Sequence, residues 1–388
     1  MKLMITEFHA RNILSLRDVS LRFRTKLTAL VGSHASGKSN IVKAMYLLKL
    51  LLEGKGIRDA ITELVETSTK LPFKFDTTRP ITLGFTAKVE ANECMKLTYE
   101  LSFRCDREVV EHEVLKLNGQ VVAEFRLVGD SSGTLTIYTP SEITQSTTFT
   151  IDYPQILDSL SVVTKARRGL ESRVVDMVPL LRRCLTVHHF SPESIRSGCE
   201  LTHITELSYD GSNLASVLHT LLTTNRRKFL EIEKVLQSLI PEVDELATPV
   251  HNKNVYIAFR DKSIGDLIPP ELVSDGTLRL LAFIIALYLG KQVVVFEEPE
   301  NCVHPWLYRT LIDLFRKAPC QVIFTTHSPY VLDLLNPEEL VIVEKINGET
   351  KVRRVDNDPK LLERVRKLLT EGIPLGEVWY SGELGGTP

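Results

Sequence analysis

One short segment constrains the fold of this chain more than any other. A loop that begins with Gly and ends in Gly-Lys-Ser-Asn lies between an apolar run at 27–31 and a helical pattern at 41–51. Such glycines let backbone N–H groups surround phosphate oxygens, and the positive end of the following helix points at the same anion. This setting predicts a phosphate-binding loop, with an ordinary Gly-rich turn as the alternative. The loop consists of Gly32, Ser33, His34, Ala35, Ser36, Gly37, Lys38, Ser39 and Asn40.

Two side chains of the loop carry the chemistry of a nucleotide site. The ammonium group of Lys38 is expected to reach the β- and γ-phosphate oxygens, and the hydroxyl of Ser39 is expected to bind Mg²⁺. All nine loop residues are therefore predicted to bind the cofactor, a nucleoside triphosphate.

Length, charge and cysteine content limit what surrounds this loop. The chain has 388 residues, and since a typical domain has about 150, we expect two lobes. The net charge is −2 with 25% charged residues, so the charge of the whole chain does not indicate nucleic-acid binding. Any basic surface that binds nucleic acid would have to be local. The six cysteines form no C-x-x-C pair, which argues against zinc and disulfide frameworks. No apolar stretch is long enough to cross a bilayer, so we predict a cytoplasmic protein without a membrane partner.

The hydrophobic pattern divides the chain into three segments. Residues 1–150 carry strand patterns on both sides of the phosphate loop, including an antiparallel meander at 80–151. Residues 151–265 are predicted to be a mainly helical insertion, with a long helical pattern at 213–239. Residues 266–388 contain short apolar runs typical of parallel strands buried on both faces. We therefore predict an α/β fold with a central, mostly parallel sheet, an antiparallel β subdomain and a helical insertion lobe.

Two carboxylates follow an apolar run in the last segment. Glu297 and Glu298 come directly after residues 293–296, and ligands of open α/β sheets bind at the carboxyl ends of the strands. Phosphoryl transfer needs one acid near Mg²⁺ and another that polarises the attacking water. We assign Glu297 to the metal shell and Glu298 to the water. The alternative is a solvated acidic turn.

Two further motifs are expected at the same edge. His327 ends a second apolar strand pattern and, on a strand next to that of Glu298, could contact the γ-phosphate. Ser274 and Gly276 precede the apolar helix at 278–289, whose N-terminus can bind an anion. On their own, such a histidine is more often structural and such a serine is more often an N-cap. Both assignments therefore depend on the phosphate loop and Glu298.

Together, these motifs resemble the ABC-type ATPases of the RecF, SMC and OLD superfamily. The matching segments are GSHASGKSN, VSDGTLRLL, VVVFEEPENCVHP and FTTHSP. More narrowly, the chain is similar to stand-alone AAA family ATPases with an ABC-like head, although residues 60–265 match mainly in layout. Departures are His34, where Asn is usual, Glu297, where Asp is usual, and Asp275 and Thr277 in the signature. The glutamine of the Q-loop is not identified; Gln145 and Gln155 are candidates by position alone.

The resemblance implies an ATPase that works as a homodimer. Two heads would enclose two ATP molecules with Mg²⁺, and the phosphate loop of one head would face Ser274 and Gly276 of the other. The chain lacks the sustained heptads of coiled-coil arms. The segment after His327 is also too short for a TOPRIM nuclease domain. We therefore expect a stand-alone head.

Three functions are compatible with this resemblance. The first is an ATPase acting on or near DNA, in repair or in defence against foreign nucleic acid. Basic clusters at 165–173, 182–183 and 226–228 would then contact phosphates, although such arginines usually lie on solvated helix faces. The second is a regulatory partner of a separate effector protein such as a nuclease or toxin. The third, a transporter ATPase subunit, is disfavoured because transporter heads have a much shorter gap between phosphate loop and signature.

Overall fold

Two large β-sheets organise the chain. The computed structural model describes residues 2–90, 93–128, 132–137, 149–152 and 172–384. The strands in these ranges are β1 Lys2–Ile13, β2 Leu16–Arg22, β3 Leu27–Val31, β4 Ile81–Glu90, β5 Cys94–Arg104, β6 Val109–Leu117, β7 Gln120–Val128, β8 Ser132–Ile137, β9 Phe149–Asp152, β10 Leu185–His188, β11 Cys199–Glu200, β12 Val243–Ala247, β13 Val250–His251, β14 Asn254–Val255, β15 Ala258–Asp261, β16 Leu267–Ile268, β17 Val293–Phe296, β18 Gln321–Thr326, β19 Leu340–Ile346 and β20 Glu349–Arg354. The helices are α1 Lys38–Leu52, α2 Ile57–Thr62, α3 Ser172–Arg182, α4 Pro192–Arg196, α5 Leu214–Thr224, α6 Arg226–Leu239, α7 Asp275–Leu289, α8 Tyr308–Lys317, α9 Pro329–Leu332, α10 Pro359–Thr370 and α11 Leu375–Tyr380.

A six-stranded sheet carries the phosphate loop. Its order is β10-β17-β18-β3-β19-β20, and every neighbouring pair is parallel except β19 with β20. Val293 and Val295 of β17 pack into one core with α1, whereas Val294 and Phe296 pack into the other with α7. Because helices cover both faces, β3, β17 and β18 are buried along their whole length. This confirms the predicted central, mostly parallel sheet.

The second sheet is antiparallel and has eight strands in the order β2-β1-β4-β5-β6-β7-β8-β9. From β4 onward each strand pairs with the next one along the chain, which confirms the predicted meander. The two sheets are joined where two glutamine side chains, one directly before β17 and one at the start of β18, accept hydrogen bonds from β1. Oε1 of Gln292 accepts from the N–H of Leu3 at 2.8 Å, and Oε1 of Gln321 accepts from that of Ile5 at 2.9 Å.

The range 151–265 contains more strands than its helical pattern predicts. Strand β10 joins the central sheet beside β17. The three-stranded sheets β11-β14-β13 and β12-β15-β16 follow, and of these strands β16 lies just beyond residue 265. The single long helical pattern at 213–239 is wrong at Asn225, where the chain ends α5 and begins α6. The side chain of Asn225 caps α6 by accepting from the N–H of Lys228. The division of the chain at 150 and 265 stays a prediction.

Some predicted features lie outside the described residues. These include both candidate glutamines, Gln145 and Gln155, and the basic residues at 165–168. Within the described ranges, no helix is both long and apolar enough to span a membrane.

Candidate nucleotide site

The phosphate loop connects strand β3 to helix α1. Backbone φ is positive at Ala35 (60°) and at Gly37 (105°), so the chain turns through left-handed conformations before the helix begins. A Cβ atom on Gly32 would lie 2.2 Å from the carbonyl oxygen of Val343, and one on Gly37 would lie 2.0 Å from Oγ1 of Thr350. Both glycines are therefore required by the close packing of the loop against the β19–β20 hairpin.

The side chains at the end of the loop differ in their surroundings. Nζ of Lys38 donates to the carbonyl oxygens of Gly32 at 2.7 Å and Ser33 at 2.9 Å. Burial lowers the pKa of this ammonium group, while three nearby carboxylates act in the opposite direction. Ser39 is exposed at the start of α1. Nδ2 of Asn40 donates to Oγ of Ser15 at 2.6 Å, so this amide helps to hold the end of the loop against the turn between β1 and β2.

A cavity of about 430 Å³ adjoins the first half of the phosphate loop. It is lined by residues 32–36, residues 342–346 and Trp379. Among its lining groups, the buried hydroxyl of Ser36 has no hydrogen-bond partner in the described part of the chain. The cavity therefore extends the loop with a space that has both polar and apolar walls.

Glu298 and His327 meet at the carboxyl ends of adjacent strands. Since β17 and β18 are parallel neighbours, the residues that follow them lie at the same edge. Oε1 of Glu298 is 3.1 Å from Nδ1 of His327, and Oε2 accepts from the amide of Asn301 at 2.8 Å. Burial by itself raises the pKa of Glu298, but the Asn301 hydrogen bond and the charges of His327 and Lys38 bring it below its usual value. A carboxyl group with a lowered pKa is ionised at neutral pH, which is the form that can accept a proton.

The backbone of Glu298 is held in an unusual conformation. Its φ is 43°, a left-handed value that costs on the order of 1 kcal/mol or more for a residue with a side chain. Its N–H donates to Oγ1 of Thr325 at 3.0 Å, and its carbonyl oxygen accepts from Nη2 of Arg279 at 3.1 Å. Arg279 is 4% exposed and belongs to α7. That helix therefore helps to position the carboxylate.

Glu300 is a site residue that the sequence reasoning missed. Its Oε1 accepts from Oγ1 of Thr326 at 2.6 Å and from the N–H of His327 at 3.3 Å. The side chain is buried, and burial raises its pKa. Glu300 therefore anchors the segment that carries His327. The available signal was a third carboxylate in the stretch Glu297-Glu298-Pro299-Glu300-Asn301.

Glu297 has a different set of neighbours. Its Oε2 accepts from the hydroxyl of Tyr209 at 3.3 Å and lies 3.5 Å from Nδ1 of His189. Burial and the neighbouring carboxylate raise the pKa of Tyr209. His189 follows β10, so only the pairing of β10 with β17 brings it to Glu297. The sequence analysis gave neither His189 nor Tyr209 a role.

The unusual loop residue His34 lies against His327. The centroids of the two imidazole rings are 4.6 Å apart, and the ring planes meet at 46°. The structure thus brings the phosphate loop into contact with the residue after β18. The ring contact joins His34 to His327, and the contact between Nδ1 of His327 and Oε1 of Glu298 joins His327 to the carboxylate.

Ser274 and Gly276 lie at the start of α7. Oγ of Ser274 accepts from the N–H of Thr277 at 3.2 Å, so Ser274 is the N-cap of this helix. A Cβ atom on Gly276 would lie 2.7 Å from the carbonyl oxygen of Cys302. No hydrogen bond among the described residues joins Ser274 or Gly276 to the phosphate loop of the same chain. Their action on a second copy stays a prediction.

Sequence comparison finds two partial matches. Residues 188–333 match the family model "AAA domain, putative AbiEii toxin, Type IV TA system", a range that contains Ser274, Glu298 and His327 and begins after the phosphate loop. The chain is also similar to an "OLD nuclease" of Thermus scotoductus, with 35% identity over 86 residues. That match covers 20% of this chain and only 16% of the relative.

Solved structures of SMC heads share the fold. A crystal structure of an Smc head bound to the C-winged helix domain of ScpA is 14% identical, with a TM-score of 0.56 over 90% of this chain and 96% of that chain. The Smc head with an extended coiled coil from Pyrococcus furiosus, bound to the C-terminal domain of ScpA, is also 14% identical. Its TM-score is 0.51 over 94% of this chain and 100% of that chain. At this identity the likeness shows the fold alone and confirms the predicted head architecture.

Proposed function

We propose that this chain, an ABC-type AAA ATPase head of the RecF, SMC and OLD kind, binds ATP with Mg²⁺ and hydrolyses the β–γ phosphoanhydride bond. One observation carries the proposal: Lys38, Glu298 and His327 follow three strands that are neighbours in one sheet. Hydrolysis of a nucleoside triphosphate needs a cation on the phosphates and a positioned acceptor for the attacking water. This edge of the sheet supplies both.

The contacts of each residue suggest its role. The first N–H groups of a helix have no partner within that helix, so the start of α1 and Lys38 would bind the β- and γ-phosphates. Ser39 and Glu297 offer the oxygen ligands that Mg²⁺ prefers, and the ion would neutralise charge on the phosphates when bound. Glu298 would polarise the attacking water, and His327 would contact the γ-phosphate while holding the Glu298 carboxylate.

The proposed active form is a homodimer with composite sites. Within one chain, Ser274 caps the N-terminus of α7 and Gly276 lies in its first turn. Among the described residues, neither makes a hydrogen bond to the phosphate loop. A helix N-terminus binds anions through its free N–H groups, and a symmetric dimer would place this one over the ATP of a second copy. Ser274 and Gly276 would then complete the partner's site.

Substitution of Glu298 by Gln tests the hydrolysis proposal. The amide keeps the size of the side chain but cannot accept a proton, so turnover should fall by about 100-fold or more. ATP binding should persist, and an ATP-dependent dimer should accumulate in light scattering. Lys38→Ala is the matched control, which should lose nucleotide binding. Normal turnover in Glu298→Gln would contradict the role of this carboxylate.

The partner of the dimer is proposed to be DNA. Exposed Arg226 and Arg227 at the start of α6 offer positive charge, although Arg227 also pairs with Glu231 at 3.3 Å. The ATPase rate should rise with duplex or single-stranded DNA, and binding should weaken as salt increases. If DNA leaves the ATPase rate unchanged and the chain shows no salt-dependent binding to DNA, DNA is not the partner.

The second candidate is an ATP-gated partner of a separate effector. It is supported by the names of the relatives, an OLD nuclease and a family described with a toxin. Here hydrolysis would release the effector from the ATP-bound dimer. Co-purification of one protein with Glu298→Gln, and its loss with Lys38→Ala, would favour this candidate over DNA. A transporter subunit stays disfavoured.

A further inference from the structure

Arg196 holds the loop that leads into helix α7. Its Nε donates to the carbonyl oxygen of Pro270 at 3.0 Å, and its Nη2 donates to the carbonyl oxygen of Val273 at 2.9 Å. Nη2 also donates to Oδ1 of Asp275 at 2.5 Å. One planar guanidinium thus contacts two carbonyl oxygens of the loop and the carboxylate of the first residue of α7, as its fixed set of donors allows. Arg196 reaches the loop from α4, a separate element.

The position of Asp275 gives this contact a consequence for charge. Asp275 lies between Ser274 and Gly276, the residues proposed to approach the ATP of a second copy, and its side chain is 51% exposed. A free carboxylate there would repel the triphosphate, because like charges brought together at an interface are unfavourable. The guanidinium of Arg196 balances that charge at hydrogen-bond distance.

We infer that Arg196 is a positioning residue for the composite site. It neutralises Asp275 and fixes the loop of Ser274, so that the triphosphate held by a second copy can approach the start of α7. Arg196 acts through Asp275 and the loop carbonyls, without touching the nucleotide. The inference rests on the proposed dimer and adds to it a charge-balance requirement on the loop that faces the partner.

The alternative is that Arg196 serves only to hold the loop in place. In that case its hydrogen bonds to Pro270 and Val273 would affect the dimer, and the charge of Asp275 would not. Asp275 also lies in the first turn of α7, where a negative charge favours the helix dipole. A structural role therefore predicts that removal of the Asp275 charge brings no benefit. A charge-balancing role predicts that it does.

The test compares four variants in the Glu298→Gln background: Arg196→Gln, Arg196→Lys, Asp275→Asn and the double variant Arg196→Gln/Asp275→Asn. Light scattering would give the affinity of the ATP-dependent dimer, and a fluorescent ATP analogue would give the affinity of the monomer. Gln keeps an amide donor for one carbonyl but carries no charge. We expect Arg196→Gln to weaken the dimer by about tenfold, with ATP binding by the monomer unchanged. The Lys variant should keep most of the dimer affinity, and Asp275→Asn in the double variant should restore it.

Two results would overturn the inference. One is an Arg196→Gln dimer as tight as that of the Glu298→Gln parent, and the other is a double variant no tighter than Arg196→Gln alone. Asp275→Asn gives a second test that leaves Arg196 in place. It should tighten the dimer, and a weaker dimer would also overturn the inference. If the parent itself forms no dimer with ATP, the proposed function fails and the inference with it; a parent dimer that is insensitive to Arg196 removes the inference alone.

Discussion

At the scale of single residues, Glu300 accepts hydrogen bonds that hold the segment of His327, the residue proposed to contact the γ-phosphate. Gln at this position keeps an acceptor oxygen for the Thr326 hydroxyl and the His327 N–H, whereas Ala leaves both donors without this partner. We expect Glu300→Gln to keep most of the ATPase activity and Glu300→Ala to lower kcat by about tenfold, with ATP binding retained. Steady-state kinetics and ATP titrations measure the two effects. Equal kcat values for the two variants would contradict the anchoring role.

Glu113 lies in the antiparallel sheet and affects stability. Its carboxyl group accepts a hydrogen bond from the hydroxyl of Tyr99 at 2.7 Å, and burial raises its pKa to about 7 from 4.5. The folded state therefore holds this proton more tightly than the unfolded state. Its stabilising contribution is complete below about pH 4.5 and is lost as the pH rises to about 7.

Glu113→Gln should remove this pH dependence. Between about pH 4.5 and 7, the free energy of unfolding of the wild type relative to the variant should fall by up to about 1.4 kcal/mol per pH unit. The comparison must be relative, because burial lowers the pKa of His188 to about 3, and that group acts with the opposite sign. Urea unfolding at several pH values gives the difference. A constant difference would contradict the raised pKa of Glu113.

At the scale of elements, the β19–β20 hairpin supports the phosphate loop. Oγ1 of Thr350 lies 2.6 Å from Oγ of Ser15 and donates to the carbonyl oxygen of Ser36 at 3.3 Å. Ser15 in turn accepts from the amide of Asn40. One hydroxyl network therefore joins the β1–β2 turn, the hairpin, the loop and the start of α1.

Removal of the Thr350 hydroxyl should weaken ATP binding, because the phosphate loop loses part of the hydrogen-bond network that supports it. Val is close to Thr in shape but leaves Ser15 and the Ser36 carbonyl with fewer partners, a loss of about 1 kcal/mol per hydrogen bond. We expect Thr350→Val to raise the Kd for ATP by about fivefold, in line with that loss. Thr350→Ser is the matched control and should bind like the wild type. Calorimetric titration distinguishes them, and equal Kd values for the Val variant and the wild type would argue against the support.

The elements that could be predicted are those with a local signal. The apolar runs before Gly32, Glu297 and His327 each indicate a buried strand and the loop after it, and parallel order then predicts that Glu298 and His327 meet. Other features depend on residues far apart in the chain, such as the pairing of β10 with β17, which brings His189 to Glu297. No local pattern encodes such partners. The break at Asn225 was missed because the helical period continues across it.

At the scale of the whole molecule, two large aromatic side chains are exposed in the segments that follow β17 and β18. Trp306 follows β17 and is 75% exposed, and Tyr330 follows β18 and is 68% exposed. Exposed aromatic groups beside a site are typical of a surface that a partner covers. In the proposed dimer, a second copy bound through ATP would cover this edge.

Trp306 can report this change directly, because the chain has two tryptophans and the other, Trp379, is 3% exposed. In a Glu298→Gln/Trp379→Phe protein, ATP should shift the Trp306 emission to shorter wavelength and reduce its quenching by acrylamide, since the indole leaves water. Adding Lys38→Ala should abolish both changes. Trp379 lines the cavity beside the phosphate loop, so the matched Trp306→Phe protein reports ATP binding in the monomer. A dimer in light scattering that leaves Trp306 fully quenchable would show that the two heads meet through another surface.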